Sequence, residues 1–147
     1  MRCKNKLVTS SAGFTLIELL VVMIILGLLA ALVGPRMFGK VDRARQQSAK
    51  AQIELFSTAL DAYRLDVGRY PATEQGMAAL RVAPSDESRW DGPYLPKEIP
   101  LDPWGRPYVY KSPGEHGDYD IISYGQDGQP GGEKNDMDIV SWKGIGQ

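Results

Sequence analysis

The feature that most constrains the fold is an apolar run at residues 14–33, FTLIELLVVMIILGLLAALV, whose only ionisable side chain is Glu18. At a rise of about 1.5 Å per residue, a helix of this length is about 30 Å long, which matches the hydrocarbon core of a bilayer. Three basic residues (Arg2, Lys4 and Lys6) precede the run, and the positive-inside rule keeps this side in the cytoplasm. The run therefore predicts a membrane helix after which the chain lies on the outer side of the membrane.

A basic start followed by an apolar run also fits a secretory signal peptide or a simple uncleaved anchor. A signal peptide should have small residues at a cleavage site after the run, but GPRMFGK follows at residues 34–40, and small residues instead precede the run at residues 10–13. A carboxylate near the end of a lipid-facing helix is costly and normally has a partner. A simple anchor has no use for Glu18, unless its side chain reaches the lipid interface.

The periodicity after the run predicts that the same helix continues as an amphipathic helix to about Asp66, before Gly68 and Pro71 end it. Apolar residues recur there at intervals of three, four or seven, with charged residues between them. We expect the buried stripe of this segment to consist of Met37, Val41, Ala44, Ala51, Leu55, Ala59, Ala62 and Leu65.

The remainder of the chain predicts a small sheet with ordered loops. Thr73 is expected to cap a short helix that ends near Arg81. Prolines recur through residues 82–107, which indicates an ordered, irregular region that ends in a DPWG turn. Short strands are expected at residues 108–111, 119–123 and 139–142. The fold class is therefore α+β, with the long helix packed on a small antiparallel β-sheet.

The residues around the start of the apolar run carry a specific resemblance. Residues 13–18, GFTLIE, resemble the processing site of type IV prepilins and of type II secretion pseudopilins. In that family a prepilin peptidase cuts after the glycine, the new terminal amine is methylated, and the glutamate is the fifth residue of the mature protein. The resemblance implies cleavage between Gly13 and Phe14, and thus three segments: a basic leader (1–13), a transmembrane and assembly helix (14–34) and a periplasmic domain (35–147).

The resemblance also gives Glu18 a physical role. A cationic amine on Phe14 can pair with the Glu18 carboxylate of a neighbouring subunit, which neutralises both charges in a bundle of apolar helices. We therefore expect Glu18 to set the register of subunits during assembly.

Three further motifs narrow the resemblance to the major pseudopilins of type II secretion systems: YPATEQG at residues 70–76, DPWG at 102–105 and YGQDG at 124–128. Type IV pilins usually carry a disulfide-closed loop near the carboxyl terminus, whereas the only cysteine here is Cys3. The resemblance favours a pseudopilin, and a type IV pilin for adhesion, motility or DNA uptake is the alternative.

The resemblance implies a single-pass subunit of the inner membrane that has its carboxy-terminal domain in the periplasm. Copies would polymerise with one another and with minor pseudopilins into a helical filament. A cytoplasmic ATPase and an inner-membrane assembly platform would add subunits that the prepilin peptidase has processed. The filament would help to move folded proteins through an outer-membrane secretin.

Residues 118–138 contain six acidic residues and a single base, Lys134. Oxygen ligands on a flexible loop suit calcium, although the spacing does not fit an EF-hand and the composition also fits a solvated loop. Major pseudopilins that resemble this chain hold calcium in this loop. The resemblance implies that the ligands are the side chains of Asp127, Asp136 and Asp138, with the backbone carbonyls of Tyr124 and Gln129.

The sequence predicts neither catalysis nor nucleic-acid binding. His116 is the only histidine, and we find no nucleophile elbow, P-loop or dinucleotide fingerprint. The chain has 17 basic and 18 acidic residues, and three of the basic ones lie in the leader, so the processed form is mildly acidic. A membrane-anchored binding or hydrolytic protein would need a site that the sequence does not show.

Overall fold

The computed structural model describes residues 13–144, except for the side chains of residues 34–38. Residues 1–12 of the predicted leader lie outside the described part. The first element is helix α1, Leu16–Val67, 52 residues long. Thr15 caps its start, because the Glu18 backbone N–H donates to Thr15 Oγ1 at 3.3 Å. Gly68 ends it with a φ of 88°, a left-handed conformation that glycine adopts without strain.

The chain divides into two compact units, Met1–Gly39 and Lys40–Gln147. In the described part of the first unit, the segment Leu16–Val33 is long and apolar enough to cross a membrane, and none of it is buried within the structure. Such an exposed apolar surface is unfavourable in water and favourable in lipid. The first unit therefore agrees with the predicted membrane helix in length and composition.

A three-stranded antiparallel sheet forms part of the second unit. Strand β1 is Val109–Lys111, β2 is Asp120–Ser123 and β3 is Ile139–Val140, and their order in the sheet is β1-β2-β3. Tyr110 pairs with Ile121, and Ser123 pairs with Ile139. The strands lie within the three predicted ranges, and the α+β fold class is confirmed.

The predicted buried stripe of α1 is wrong. Of the eight expected residues only Ala59 is buried, whereas Leu55 is 53% exposed and Leu65 84% exposed, and the side chain of Met37 is not described. The buried face instead consists of Ala49, Ile53, Phe56, Ala59, Leu60, Tyr63 and Val67. Both sets have helical spacing, and the face with the larger aromatic and branched side chains removes more apolar area from water.

Aromatic side chains of the sheet complete this core. Phe56 of α1 meets Tyr108 edge to face, with ring centroids 5.2 Å apart. Tyr110 and Ile121 are also buried, and the Tyr110 hydroxyl donates to the Pro71 carbonyl at 2.8 Å. The core therefore joins the helix, the sheet and the segment that follows the helix.

The connection between α1 and the sheet contains a 3₁₀ helix, Met77–Leu80, whose N-cap is Gly76 and has no side-chain cap. The predicted cap at Thr73 is therefore wrong. Thr73 Oγ1 instead accepts from the Ser112 N–H and donates to the Ser112 carbonyl, both at 2.9 Å, which fixes the end of β1. Residues 82–107 contain neither helix nor strand, as the prolines predicted.

Candidate functional site

The residues of the predicted processing site lie at the beginning of α1. Gly13 and Phe14 precede the helix, and Phe14 is 86% exposed. Glu18 is exposed in the first helical turn, where a carboxylate interacts favourably with the unpaired amides of the helix terminus. Thr15 was not predicted as a cap, although the spacing Thr15-x-x-Glu18 is a capping-box signal.

The six acids of the acidic segment do not gather in one place. Asp118 is paired with Arg64 at 3.0 Å. Asp120 is buried on β2, where its carboxylate accepts from the backbone N–H groups of Glu115 and His116. These two residues are therefore committed to other contacts, and the candidate metal loop is residues 124–138.

The predicted ligands all lie on this loop. Asp127 is exposed, and its Oδ1 accepts from the Gln129 N–H at 3.1 Å. The Tyr124 carbonyl accepts from the Gly128 N–H at 3.1 Å, and a carbonyl retains a second lone pair for a cation. Asp136 is half-buried at the end of a 3₁₀ turn, Lys134–Asp136.

Among the predicted ligands, Asp138 gives the strongest support for a cation site. Its Oδ2 accepts from the Gly131 N–H at 2.9 Å, but its Oδ1 is buried and has no hydrogen-bond partner among the described residues. An unpaired buried carboxylate oxygen is costly, and a cation or water is the usual remedy. A cavity of about 240 Å³ is lined by Asp138 together with Lys50 and Trp142, but by none of the other predicted ligands.

The geometry of the loop nevertheless falls short of a complete carboxylate cage. Within residues 13–144, no three His, Cys, Asp or Glu side chains lie close enough together to hold a metal. Calcium also accepts backbone carbonyls and water, so two or three carboxylates with carbonyls can suffice. The donor chemistry therefore fits calcium, and the assignment of Asp127, Asp136 and Asp138 stays a prediction.

Glycines allow the two limbs of the loop to approach closely. A Cβ on Gly125, whose φ is 60°, would lie 2.8 Å from the Met137 carbonyl oxygen. The Gln126 N–H also donates to the Asn135 carbonyl at 3.4 Å. The backbone of residues 135–137 is thus held against the backbone that leads to Asp127.

Helix α1 supplies contacts to the loop that the sequence analysis missed. Asn135 Nδ2 donates to Asp42 Oδ2 at 2.7 Å, and Gln46 Nε2 donates to the Lys134 carbonyl at 2.6 Å. One turn further, the buried Lys50 ammonium donates to the carbonyls of Val140 and Lys143 at 3.0 and 2.6 Å.

The histidine, serine and aspartate that could suggest a hydrolytic site make other contacts. The His116 ring stacks on Trp142 with centroids 3.8 Å apart, and its Nδ1 lies 3.1 Å from the Asp120 carboxylate. Ser123 is buried, and its hydroxyl donates to Asp102 rather than to the histidine. The described residues therefore do not form a Ser-His-Asp triad from this trio.

The chain has an exposed apolar helix of membrane length, followed by a unit of one helix and a small antiparallel sheet. This arrangement defines a pilin-like subunit. Residues 36–142 match the family described as type II secretion system (T2SS), protein G, and residues 9–34 match the prokaryotic N-terminal methylation motif. The chain belongs to the type II secretion system protein G family, the family of the major pseudopilins.

Individual relatives agree with this family. The type II secretion system core protein G of Pseudomonas aeruginosa is 46% identical over 134 residues, which cover 89% of this chain and 94% of the relative. That of Vibrio cholerae is 43% identical over 140 residues, covering 93% and 95%. The crystal structure of the major pseudopilin from enterohaemorrhagic Escherichia coli matches with a TM-score of 0.60 and 40% identity, over 74% of this chain and 95% of that one.

Proposed function

We propose that this chain is the major structural subunit of a type II secretion pseudopilus, which polymerises into a periplasmic helical filament that helps to export folded proteins across the outer membrane. The observation that carries the proposal is the family match over the folded unit together with an exposed apolar helix that begins at a methylation motif. Its work is mechanical rather than catalytic.

The apolar helix supports storage in the inner membrane before assembly. The basic residues at 2, 4 and 6 keep the amino terminus in the cytoplasm, which sends the folded unit into the periplasm. Cleavage after Gly13 leaves a cationic amine on Phe14, and Glu18 is exposed four residues away to receive such an amine from a neighbouring copy.

The partners proposed from the family are minor pseudopilins, the prepilin peptidase, the assembly platform with its ATPase, and the secretin.

We also propose that calcium binds the loop of residues 124–138. Asp127, Asp136 and Asp138 would supply carboxylate oxygens, and Tyr124 and Gln129 would supply backbone carbonyls. The unpartnered Asp138 Oδ1 and the close approach of Gly125 to the backbone of residues 136–137 support this assignment. A bound cation would hold the two limbs of the loop together, which is the role that a disulfide plays in a domain that has cysteines.

Complementation tests the proposed function. The chain is expressed in a bacterium that has a type II secretion system but lacks its own major pseudopilin, and secretion into the medium is measured together with cryo-microscopy of the filaments. We expect restored secretion and filaments built from the processed chain. Mass spectrometry should show an N-methylated Phe14 at the new terminus. Long surface filaments that support motility or adhesion without restoring secretion would favour a type IV pilin.

A further inference from the structure

The loop proposed to bind calcium is held to α1 by side chains that are not among the proposed ligands. Asp42 and Gln46 are one helical turn apart and therefore share a face of α1. They bond to the adjacent residues Asn135 and Lys134, as described above. Both contacts fall on the 3₁₀ turn that carries Asp136, one of the proposed ligands.

The backbone of this turn is strained, so it needs outside support. Lys134 has a φ of 55°, the only positive value for a residue other than glycine in the part of the chain that the structure describes. A non-glycine residue in this left-handed region costs free energy and persists where its surroundings hold it. The carbonyl of Lys134 is the group to which Gln46 donates. The helix therefore stabilises a loop conformation that costs free energy at Lys134.

We propose that Asp42 and Gln46 are positioning residues for calcium, which hold the Lys134–Asp136 turn in its binding conformation and so set the affinity without touching the ion. The inference rests on the calcium site proposed above. Without a cation, the buried Asp138 Oδ1 lacks a partner, which favours opening of the loop. The observed affinity equals the affinity of the closed loop multiplied by the fraction of chains whose loop is closed. The hydrogen bonds made by Asp42 and Gln46, here called the two tethers, raise that fraction.

Calorimetric titration of the full-length chain in detergent with calcium chloride tests the inference. We expect Asn135→Ala and Gln46→Met each to weaken binding about fivefold, as the loss of one hydrogen bond predicts. Asp42→Ala should weaken calcium binding as much as Asn135→Ala does. The double variant Asp42→Ala/Asn135→Ala should bind no more weakly than either single variant, because both changes remove the same contact. Asp42→Asn should bind like the unmodified chain, since it keeps the acceptor oxygen while losing the charge.

Melting temperatures separate this role from a simple structural tether. In chelator, the unmodified chain and the three variants that lose a tether (Asn135→Ala, Gln46→Met and Asp42→Ala) should melt alike, because the loop is already open; with calcium they should diverge. A static tether would lower the melting temperature equally in both conditions and leave the dissociation constant unchanged, which would overturn the inference alone. Absence of calcium binding by the unmodified chain would overturn the proposed site and the inference with it.

Discussion

The buried Asp102 carboxylate accepts a hydrogen bond from the Ser123 hydroxyl at 2.7 Å. Its other oxygen accepts from the backbone N–H groups of Trp104 and Arg106 at 3.0 and 2.8 Å. One side chain thus closes the turn at residues 102–105 and fastens it to β2. The DPWG motif that contributed to the family resemblance therefore has a physical reason for its aspartate.

Replacement of Asp102 should be more damaging than replacement of its partner. Asp102→Ala leaves two partly buried amides and a buried hydroxyl without their acceptor, and we expect a loss of about 2 to 4 kcal/mol in the free energy of unfolding. Ser123→Ala, the matched control, should cost about 1 kcal/mol. Denaturant unfolding followed by tryptophan fluorescence measures both. Equal losses would mean that the backbone hydrogen bonds of Asp102 contribute nothing.

Alkaline pH should destabilise the folded unit through Tyr110. Burial raises the pKa of this phenol from 10.0 to about 12, and burial raises the pKa of Tyr108 as well. A raised pKa means that the contribution to stability is complete below about pH 10 and is lost as the pH rises towards 12. Melting temperatures between pH 9 and 11.5 should therefore fall.

The variant Tyr110→Phe tests the cause of that fall. It loses the hydrogen bond to Pro71, so it should be less stable at neutral pH by about 1 kcal/mol. Its melting temperature should fall less steeply above pH 10, because one buried phenol no longer ionises. If the melting temperature falls with pH as steeply as in the unmodified chain, groups other than Tyr110 cause the loss of stability at alkaline pH.

Glu18 should matter for assembly more than for membrane insertion. Insertion is driven by the apolar area of Leu16–Val33, which Glu18→Ala leaves unchanged. We expect Glu18→Ala to reach near-normal levels in the membrane but to give few filaments, as measured by immunoblotting of membranes and of sheared filaments from the same cells.

Two controls separate the charge of Glu18 from its place in the first helical turn. Thr15→Ala removes the cap at Thr15 Oγ1 and keeps the carboxylate, so it should still assemble. Glu18→Gln keeps a hydrogen-bonding group without the charge and should fail. Normal filament yield from Glu18→Gln would contradict pairing with the Phe14 amine.

Calcium should raise the thermal stability of the full-length chain in detergent. A ligand that binds only the folded form contributes about 2.7 kcal/mol at a free concentration 100 times its dissociation constant, which corresponds to a rise of about 10 °C or more. Chelator should remove this gain, and magnesium should restore little of it because magnesium demands a tighter octahedral shell.

Two aspartate variants locate the site. Asp127→Ala should abolish the response to calcium. Asp118→Ala should keep it, because Asp118 is paired with Arg64 outside the loop. Identical melting temperatures with calcium, magnesium and chelator would show that the loop is a solvated acidic surface.

The sequence predicted the elements that depend on local patterns. Runs of apolar residues, glycines and prolines determine where α1 ends, where the strands lie and where residues 82–107 stay irregular. The buried face of α1 was predicted wrongly because the helix carries two apolar stripes at helical spacing. Only the sheet and its aromatic residues decide between them, and they lie elsewhere in the chain.

The contacts between α1 and the acidic loop could not be predicted from local spacing. Asp42 and Asn135 are 93 residues apart, and neither residue type differs from an ordinary solvated surface residue. The acidic composition indicated where a cation could bind. The polar side chains that orient the loop carry no such signal, because their role appears only when the fold brings the two segments together.

The buried Lys50 ammonium has a consequence for the order of folding. Its acceptors, the carbonyls of Val140 and Lys143, are 90 and 93 residues further along the chain. Because a chain is synthesised from its amino terminus, Lys50 is exposed long before these acceptors exist. Until β3 is in place, Lys50 has Glu54 of the same helix as its partner, at 3.2 Å, but lacks its two carbonyl acceptors. A chain that stops short of Val140 therefore leaves this ammonium group exposed and is more open to proteases.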